Sequence, residues 1–507
     1  MPQTPVVQEQ NSSLPRPWWL LAIALTVAAG CLLRFLLLGT QSLWFDEGYS
    51  AWVITLEPGR IIDVIRHDVS PPLYYLLLRQ WAGVFGDSET ALRSFSAVSS
   101  CLTIPLAGAI AWHMTRSGAG ALVATAVMSV SVLQIQYAQE ARSYALASLL
   151  ASVALYAAVR RMSGTGAWFW LMFAMLACCV YLHNMMWFYV AGLGLAYLVM
   201  PGQLAWRRRV AEVAGLALGV VLVYACWIPS LLGQVRWLQG NFWASTPSTN
   251  DLSQVLVAVS GMKLMHLSAL MSGSAAGWSA LLLLFAIAAF ALVGRSATSI
   301  RWAIAVLLFG VAPVLAVYAY AQVSQSYFVE KVFTASSIAI ALLAALLLRS
   351  RLSWTALVLI PALILGSCVS VWGYLRWEHK EDWRAGMQYV NSLPRDDTLV
   401  VFVANEGELL YEYYLRQQGG FAHDVTGVPQ SFHDLHPQKT IQRVRGESDT
   451  LKLRQKLREH PPQRLVLVQS HTHFSDPSLL TRRAIEQQMK LTRENNFHLL
   501  DVLEFER

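Results

Sequence analysis

The sequence predicts an α-helical polytopic membrane protein that carries a small α/β domain at its C-terminal end. Three observations predict it. Of 507 residues, 55% are hydrophobic and only 14% charged, where an ordinary soluble domain carries roughly 25% charged residues. Mean hydropathy is +0.43, and many apolar runs reach about 20 residues, enough for a helix to cross a hydrocarbon core of roughly 30 Å. From about residue 378 the chain turns hydrophilic, and apolar strand patterns alternate with helical ones.

The elements follow in order. Residues 1–16 are polar and rich in proline and glutamine, the composition of a disordered cytoplasmic tail. The run from Trp18 to Leu38 is too long for a signal-peptide core and lacks a small-residue cleavage site, so it reads as an uncleaved first span. Further apolar segments lie near 92–113, 119–137, 143–159, 167–182, 185–200, 210–230, 277–294, 302–321, 333–348 and 353–374, about eleven spans in all. Together, 17–377 form a transmembrane module with a long first external loop over 39–91. The moderately apolar stretch 252–275, with Lys263 and His266, reads as interfacial or re-entrant.

Arginines set the orientation. With the N-terminus in the cytoplasm, Arg116, Arg160, Arg161, Arg207 to Arg209, Arg295, Arg301, Arg349 and Arg351 all fall in cytoplasmic connections. That explains the net charge of +7 without nucleic acid, and places 378–507 outside as an extracytoplasmic α/β domain. In it, helices are expected at Trp383–Leu393, near Glu406–Gln417 and near Leu479–Asn495. Strands are expected at Thr398–Ala404, Arg464–Ser470 and His498–Phe505, and 438–460 is expected to be charged and exposed. Cys31, Cys101, Cys178, Cys179, Cys226 and Cys368 all sit in or beside apolar runs, so they act as small hydrophobes rather than as a disulfide framework or zinc site.

Chemistry-bearing residues gather on the external side. The first loop opens Leu43-Trp44-Phe45-Asp46-Glu47-Gly48-Tyr49. Asp46 and Glu47 beside aromatics suit a carboxylate that takes a proton from a hydroxyl; equally, they suit helix capping and dipole pairing. His67-Asp68-Val69-Ser70-Pro71-Pro72-Leu73-Tyr74-Tyr75 forms a fixed turn. It can bring His67 and Asp68 toward Asp46 to hold phosphate or a divalent cation, or it can be a helix breaker with polar surface residues. In Gln139-Glu140-Ala141-Arg142-Ser143-Tyr144, Arg142 can pair with Glu140 or fork onto a phosphate. Tyr327 and Lys331 add a tyrosine and a cation from another external loop, and Arg34 reads as a snorkelling side chain. A divalent ion on Asp46, Glu47 and His67 is compatible with these residues and not required by them. A secondary transporter would show ionisable groups near the midplane and broken helices in related halves, patterns the sequence lacks.

Taken in order, Leu43-Trp44-Phe45-Asp46-Glu47, then Pro71-Pro72-Leu73-Tyr74-Tyr75, then Gln139-Glu140-Ala141-Arg142-Ser143-Tyr144, with Glu381-Asp382-Trp383-Arg384 after the last span, resemble bacterial GT-C glycosyltransferases. The group is that of the protein O-mannosyltransferases and the lipid A aminoarabinose transferase. The resemblance covers most of the membrane region and the start of the C-terminal domain. It implies a GT-C-like fold, a polyprenyl-phosphate sugar donor, and an acidic catalytic centre that Asp46 matches, with Glu47 beside it and Glu140 at a second acidic position. It implies inverting transfer to an envelope glycan, glycolipid or protein hydroxyl, lipid A and core sugars among them, at the plasma (inner) membrane. Arg142, Lys331 and His67 would face the donor phosphate, and Asp68, Glu140, Tyr144 and Tyr327 would support them. Ser70 stands where relatives often carry His or Lys, and Lys331 where Arg is common. A lipid-linked-saccharide transporter or flippase, and a ligase using a pyrophosphate-linked donor, remain alternative readings.

Overall fold

A computed structural model describes residues 17–238, 244–263, 265, 273–293, 296–420, 422–435 and 443–507. The tail expected over 1–16 and His266 lie outside the described residues. The apolar segments identified above fall, among the described residues, mainly on helices or broken helices. Among the described residues, six helices are long and apolar enough to cross a membrane. A seventh is added if Gly118–Ser129 and Val132–Ala138, bent by 54° at their junction, form one span. Ala167–Leu182, Met186–Val199 and Gly277–Leu292 are apolar but shorter.

The bend explains a buried charge. At the break, the Val132 N–H turns away to the carbonyl of Gly261 (3.2 Å), which frees carbonyls of the preceding turn. Arg34 collects them: its guanidinium donates to Met128 O at 2.8 Å, Ser129 O at 3.1 Å, Gly30 O at 2.9 Å and Ser100 Oγ at 2.7 Å. The side chain is fully buried, so Arg34 does not snorkel as the sequence suggested. It satisfies backbone groups that a kinked helix cannot satisfy in an apolar surround.

The two ends of the bundle differ in chemistry. Helix Tyr144–Arg161 shows both. Near Arg161 the connections are arginine-rich and internally bonded, with Arg161 on Glu212 at 2.6 Å and Arg209 and Arg301 on backbone carbonyls of residues 198–204. Near Tyr144, the first loop, the Gln139–Arg142 turn, the loop before Lys331 and the C-terminal domain meet. Asn184 bonds Val69 O at 3.1 Å and Gln234 at 3.0 Å, tying that loop to the bundle.

The C-terminal domain holds a five-stranded sheet: β1 Thr398–Val403, β2 Asp424–Gly427, β3 Arg464–Gln469, β4 Lys490–Phe497 and β5 Leu500–Glu506, in the order β2-β1-β3-β5-β4. β1 runs parallel to both β2 and β3, while β5 is antiparallel to β3 and β4. The expected helix near Leu479–Asn495 is corrected: it ends at Glu486, and 490–497 becomes the edge strand of a hairpin. That strand carries few apolar residues, so its pattern does not announce it; cross-strand pairing decides it. The charged stretch 438–460 is also corrected where described, because Val444, Leu453 and Leu457 are buried. Over 252–275, the helix Thr249–Val259 begins at a Ser248–Asp251 capping box, and Lys263 beyond it ion-pairs with Glu378 at 2.9 Å.

Replacing Arg34 by Met is expected to leave the Met128 and Ser129 carbonyls unpaired, at about 1–3 kcal/mol per group. Thermal unfolding in detergent should show a clear fall in midpoint, and an unchanged midpoint would remove Arg34 from this role.

Candidate active site

The helix Phe45–Val53 carries the two adjacent acids in its first turn, where a helix N-terminus favours negative charge. The capping reading does not hold, because the N-cap is Trp44 with no side-chain cap bond, and both carboxylates reach other elements. Gly48 lets this helix lie directly on the C-terminal domain: a Cβ there would stand 2.6 Å from a Leu410 methyl.

Glu47 is fully buried. Arg93, on the helix Glu89–Thr115, grips it in a fork at 2.8 and 2.6 Å, Lys380 adds 3.0 Å, and the Ala141 N–H donates at 2.9 Å. The rest of the Arg93 guanidinium holds Leu38 O, Gln41 O and Ser42 O at 2.7–3.0 Å. Burial pushes the Glu47 carboxyl up, but Arg93 and Lys380 outweigh it and hold it at about 2. At Lys380 burial wins over Glu47, so its ammonium sits below the usual lysine range.

Asp46 differs. Its side chain is 31% exposed and accepts from Lys331 Nζ at 2.9 Å, with Arg142 Nε at 3.8 Å. Arg142 also donates to Asp46 O at 3.3 Å and to the Tyr75 hydroxyl at 3.1 Å. Lys331 lies 5.4 Å from the Trp44 ring centroid and 5.6 Å from that of Tyr144, which supports its charge in a recessed setting. Burial would raise the Asp46 carboxyl, yet Lys331 and Arg142 bring it down to about 2. Glu140 is the opposite case. Buried, with Oε2 lacking any hydrogen-bond partner, it is pushed up to about 7 by burial and by its neighbours Glu47 and Asp46, against Lys380 and Lys331. Arg142 therefore pairs with Asp46 rather than with the Glu140 carboxyl.

The C-terminal domain completes the site. Glu381 accepts from Trp383 Nε1 at 2.5 Å and meets His471 Nε2 at 3.1 Å, and burial with nearby Asp46 pushes its carboxyl up to about 7. Phe45 packs 5.3 Å from Trp383 and 5.4 Å from His471, ring to ring. Asp382 caps the helix Trp383–Ser392, while Arg384 and Tyr414 both hold Glu89 at the head of the helix that bears Arg93.

Of the residues expected from the sequence, Asp46, Arg142, Lys331 and Tyr144 are brought together, and Asp68 stands close enough to raise the Arg142 guanidinium and the Tyr49 and Tyr75 hydroxyls. His67 lies apart: its Nδ1 faces Asp63 O at 2.9 Å, one turn back on its own helix. Tyr327 is buried near Tyr320 rather than beside Asp46. Asp46, Glu47 and His67 do not converge, and among the described residues no three His, Cys, Asp or Glu do; with Asp46 and Glu47 already engaged by cations, the donor set does not fit a metal ion. Arg93, Lys380 and His471 were not singled out in the sequence. An arginine at the head of the apolar segment 92–113 was a usable signal for the first; nothing local marks the other two. Beneath Lys331, a small cavity lined by Tyr144, Ser148, His183 and Thr334 leads into the bundle. His183 accepts the Met185 N–H at 3.2 Å through Nδ1, and burial with Arg142 and Lys331 nearby holds it neutral, down at about 3.

The sequence matches no family model and no curated relative. Among solved structures it is similar to ArnT from Cupriavidus metallidurans bound to undecaprenyl phosphate, at 13% identity and TM-score 0.57, covering 95% of this chain and 97% of that one. It is similar to the Archaeoglobus fulgidus oligosaccharyltransferase, at 11% identity and TM-score 0.53, over 94% of this chain and 73% of that one. A third likeness is to the arabinofuranosyltransferase AftD from Mycobacteria, at 14% identity and TM-score 0.50, over 97% of this chain and 42% of that one. All three are GT-C glycosyltransferases, and the chain has their fold.

Glu47→Gln leaves the buried Arg93 without its counter-charge, an expected loss of about 3–5 kcal/mol. A paired Glu47→Leu, Arg93→Met variant should recover only part of the thermal midpoint, because Lys380, the Ala141 N–H and the carbonyls of Leu38, Gln41 and Ser42 lose their partners in it. Because the Asp46 and Glu47 carboxyls sit at about 2 in the fold, below ordinary unfolded values, their stabilisation is complete above about pH 4.5 and drains away as pH falls toward 2. A pH series of unfolding midpoints should show that loss in the wild type and a smaller one in the double variant.

Proposed function

We propose that this chain is an inverting membrane glycosyltransferase that moves a sugar from a polyprenyl-phosphate donor to an acceptor hydroxyl of the cell envelope. The reading places the Asp46 end of the bundle and residues 378–507 on the extracytoplasmic face of the plasma membrane, with about eleven spans, because the arginine-rich connections gather at the other end. The observation that carries it is the pairing of Lys331 and Arg142 on a partly exposed Asp46, within a GT-C fold one of whose solved examples is bound to undecaprenyl phosphate.

The reading gives each residue of the site a role. Lys331 and Arg142 receive the donor phosphate, where preorganised cations stabilise the charge that grows as the bond to the sugar breaks. In the resting site those cations depress Asp46 to about 2, too acidic for an efficient base. A phosphate between them draws their charge, and the basicity of Asp46 rises with the donor bound. The acceptor oxygen then bonds to the anomeric carbon, the bond from that carbon to the phosphate oxygen breaks with its electron pair on the phosphate, and the hydroxyl proton passes to Asp46. Retention would require a second carboxylate as nucleophile. Glu47 is walled in by Arg93 and Lys380, so in this reading it positions the helix that presents Asp46, and Asp46 serves a single displacement.

Asp46→Asn is expected to lower transfer from radiolabelled polyprenyl-phosphate sugars by about 10²–10⁴-fold while donor binding persists. Lys331→Met should instead weaken donor binding as well as turnover. Transfer by Asp46→Asn at the wild-type rate would remove Asp46 as the base.

A further inference from the structure

Lys331 stands near the head of the 3₁₀ turn Glu330–Ser336. A lysine side chain is long and flexible, so it meets a partner reliably only where its backbone is held. Adjacent residues of a 3₁₀ turn point about 120° apart, and an anchor on one sets the direction of the next. Glu330 carries such an anchor. Its carboxylate accepts from the Tyr137 hydroxyl at 3.2 Å and lies 3.5 Å from Lys263 Nζ. Lys331, the next residue, meets Asp46 at 2.9 Å. Further along the turn, Thr334 Oγ1 donates to Lys331 O at 2.7 Å, and Gln134 Nε2 donates to Thr334 O at 2.8 Å.

Lys263 is itself firmly placed. It follows the helix Thr249–Val259, and Gly261, with φ +89°, turns the chain out of that helix. The Gly261 carbonyl takes the Val132 N–H at 3.2 Å, and the Lys263 N–H donates to Ser370 Oγ on the last span at 2.9 Å. Its side chain, 11% exposed, also bonds both carboxylate oxygens of Glu378, at 2.9 and 3.0 Å. Glu378 opens the linker that carries Lys380 to Glu47. Gln41 holds both ends of that step, donating to Glu378 O at 3.1 Å and accepting from the Lys380 N–H at 2.8 Å. One ammonium thus joins the turn of Lys331 to the linker behind Glu47. Without it, the carboxylates of Glu330 and Glu378 would face each other at short range, a repulsion that grows in a recessed setting. Glu330, the more exposed of the two and on a short turn, would give way.

We propose that Lys263 is a positioning residue for the donor phosphate: through Glu330 it turns Lys331 toward Asp46, where the phosphate enters. The inference rests on the transferase reading above and extends it to a residue that touches neither the sugar nor the phosphate. Lys263 acts on Lys331 as Glu47 acts on Asp46. In each pair of neighbours, Glu330 with Lys331 and Glu47 with Asp46, the first residue or its twin is anchored and the other is presented to the site.

The test measures binding of undecaprenyl phosphate to the full-length protein in detergent, with a thermal midpoint for every variant. Lys263→Met should weaken binding about tenfold, and Lys263→Arg, which can still bridge both carboxylates, should recover most of it. Glu330→Ala, at a more exposed position, should weaken binding in the same direction. Adding Lys263→Met to Lys331→Met should weaken binding no further, because the effect of Lys263 passes through Lys331. Equal weakening by Lys263→Met in both backgrounds would overturn the proposal. So would a lowered thermal midpoint with binding unchanged, the mark of a purely structural bridge. Absence of binding by the wild type would overturn the donor reading, and the positioning role with it.

Discussion

Glu47 sits where three parts of the chain must meet, and its charge has no route to water. Arg93 reaches it from a long apolar helix, Lys380 from the entry to the C-terminal domain, and the Ala141 amide from the turn between two spans. An ion pair withdrawn from solvent rarely adds much net stability, because desolvating both partners offsets most of the attraction. Breaking one side is what costs. The arrangement therefore acts as a constraint on registration: the first loop, the Gln139–Arg142 turn and the domain linker can dock only in positions that satisfy the same carboxylate.

From that constraint the active end follows. Once the helix Phe45–Val53 is held by Glu47, the neighbouring Asp46 is left facing outward toward Lys331 and Arg142. Neighbouring residues on one helix lie about 100° apart around its axis, so one acid is turned inward and the other is presented. The same helix carries Gly48 onto Leu410 and Phe45 onto His471 and Trp383, making the C-terminal domain part of the site wall. Arg34 does comparable work at the kink of the neighbouring span, donating to three backbone oxygens and the Ser100 hydroxyl.

Much of this was legible in the sequence, for identifiable reasons. The apolar segments marked the helices because length and hydropathy act locally. Asp46, Arg142 and Lys331 were visible because charges beside spans are expensive and therefore rare. The strands Thr398–Val403 and Arg464–Gln469 declared themselves by apolar β-branched runs. What was hidden depends on partners distant in sequence. Lys380 and Glu47 are separated by more than three hundred residues, so neither predicts the other. The strand Lys490–Phe497 takes its form from β5 rather than from its own polar residues. Arg34 read as a snorkelling cation because a helix break next door cannot be inferred from the span that carries it. His67 was drawn toward the site by its place in the Pro-Pro loop, but it follows the helix Pro58–Arg66 and bonds back to Asp63.

The central claim is a single displacement in which one exposed carboxylate, Asp46, serves the acceptor while its buried neighbour only holds the frame. The anomeric configuration of the product, read by NMR after transfer from a donor of known configuration, tests it most directly. The account predicts the opposite configuration in the product. The same configuration in donor and product would mean a covalent glycosyl intermediate, and would contradict Asp46 as the base of a single displacement.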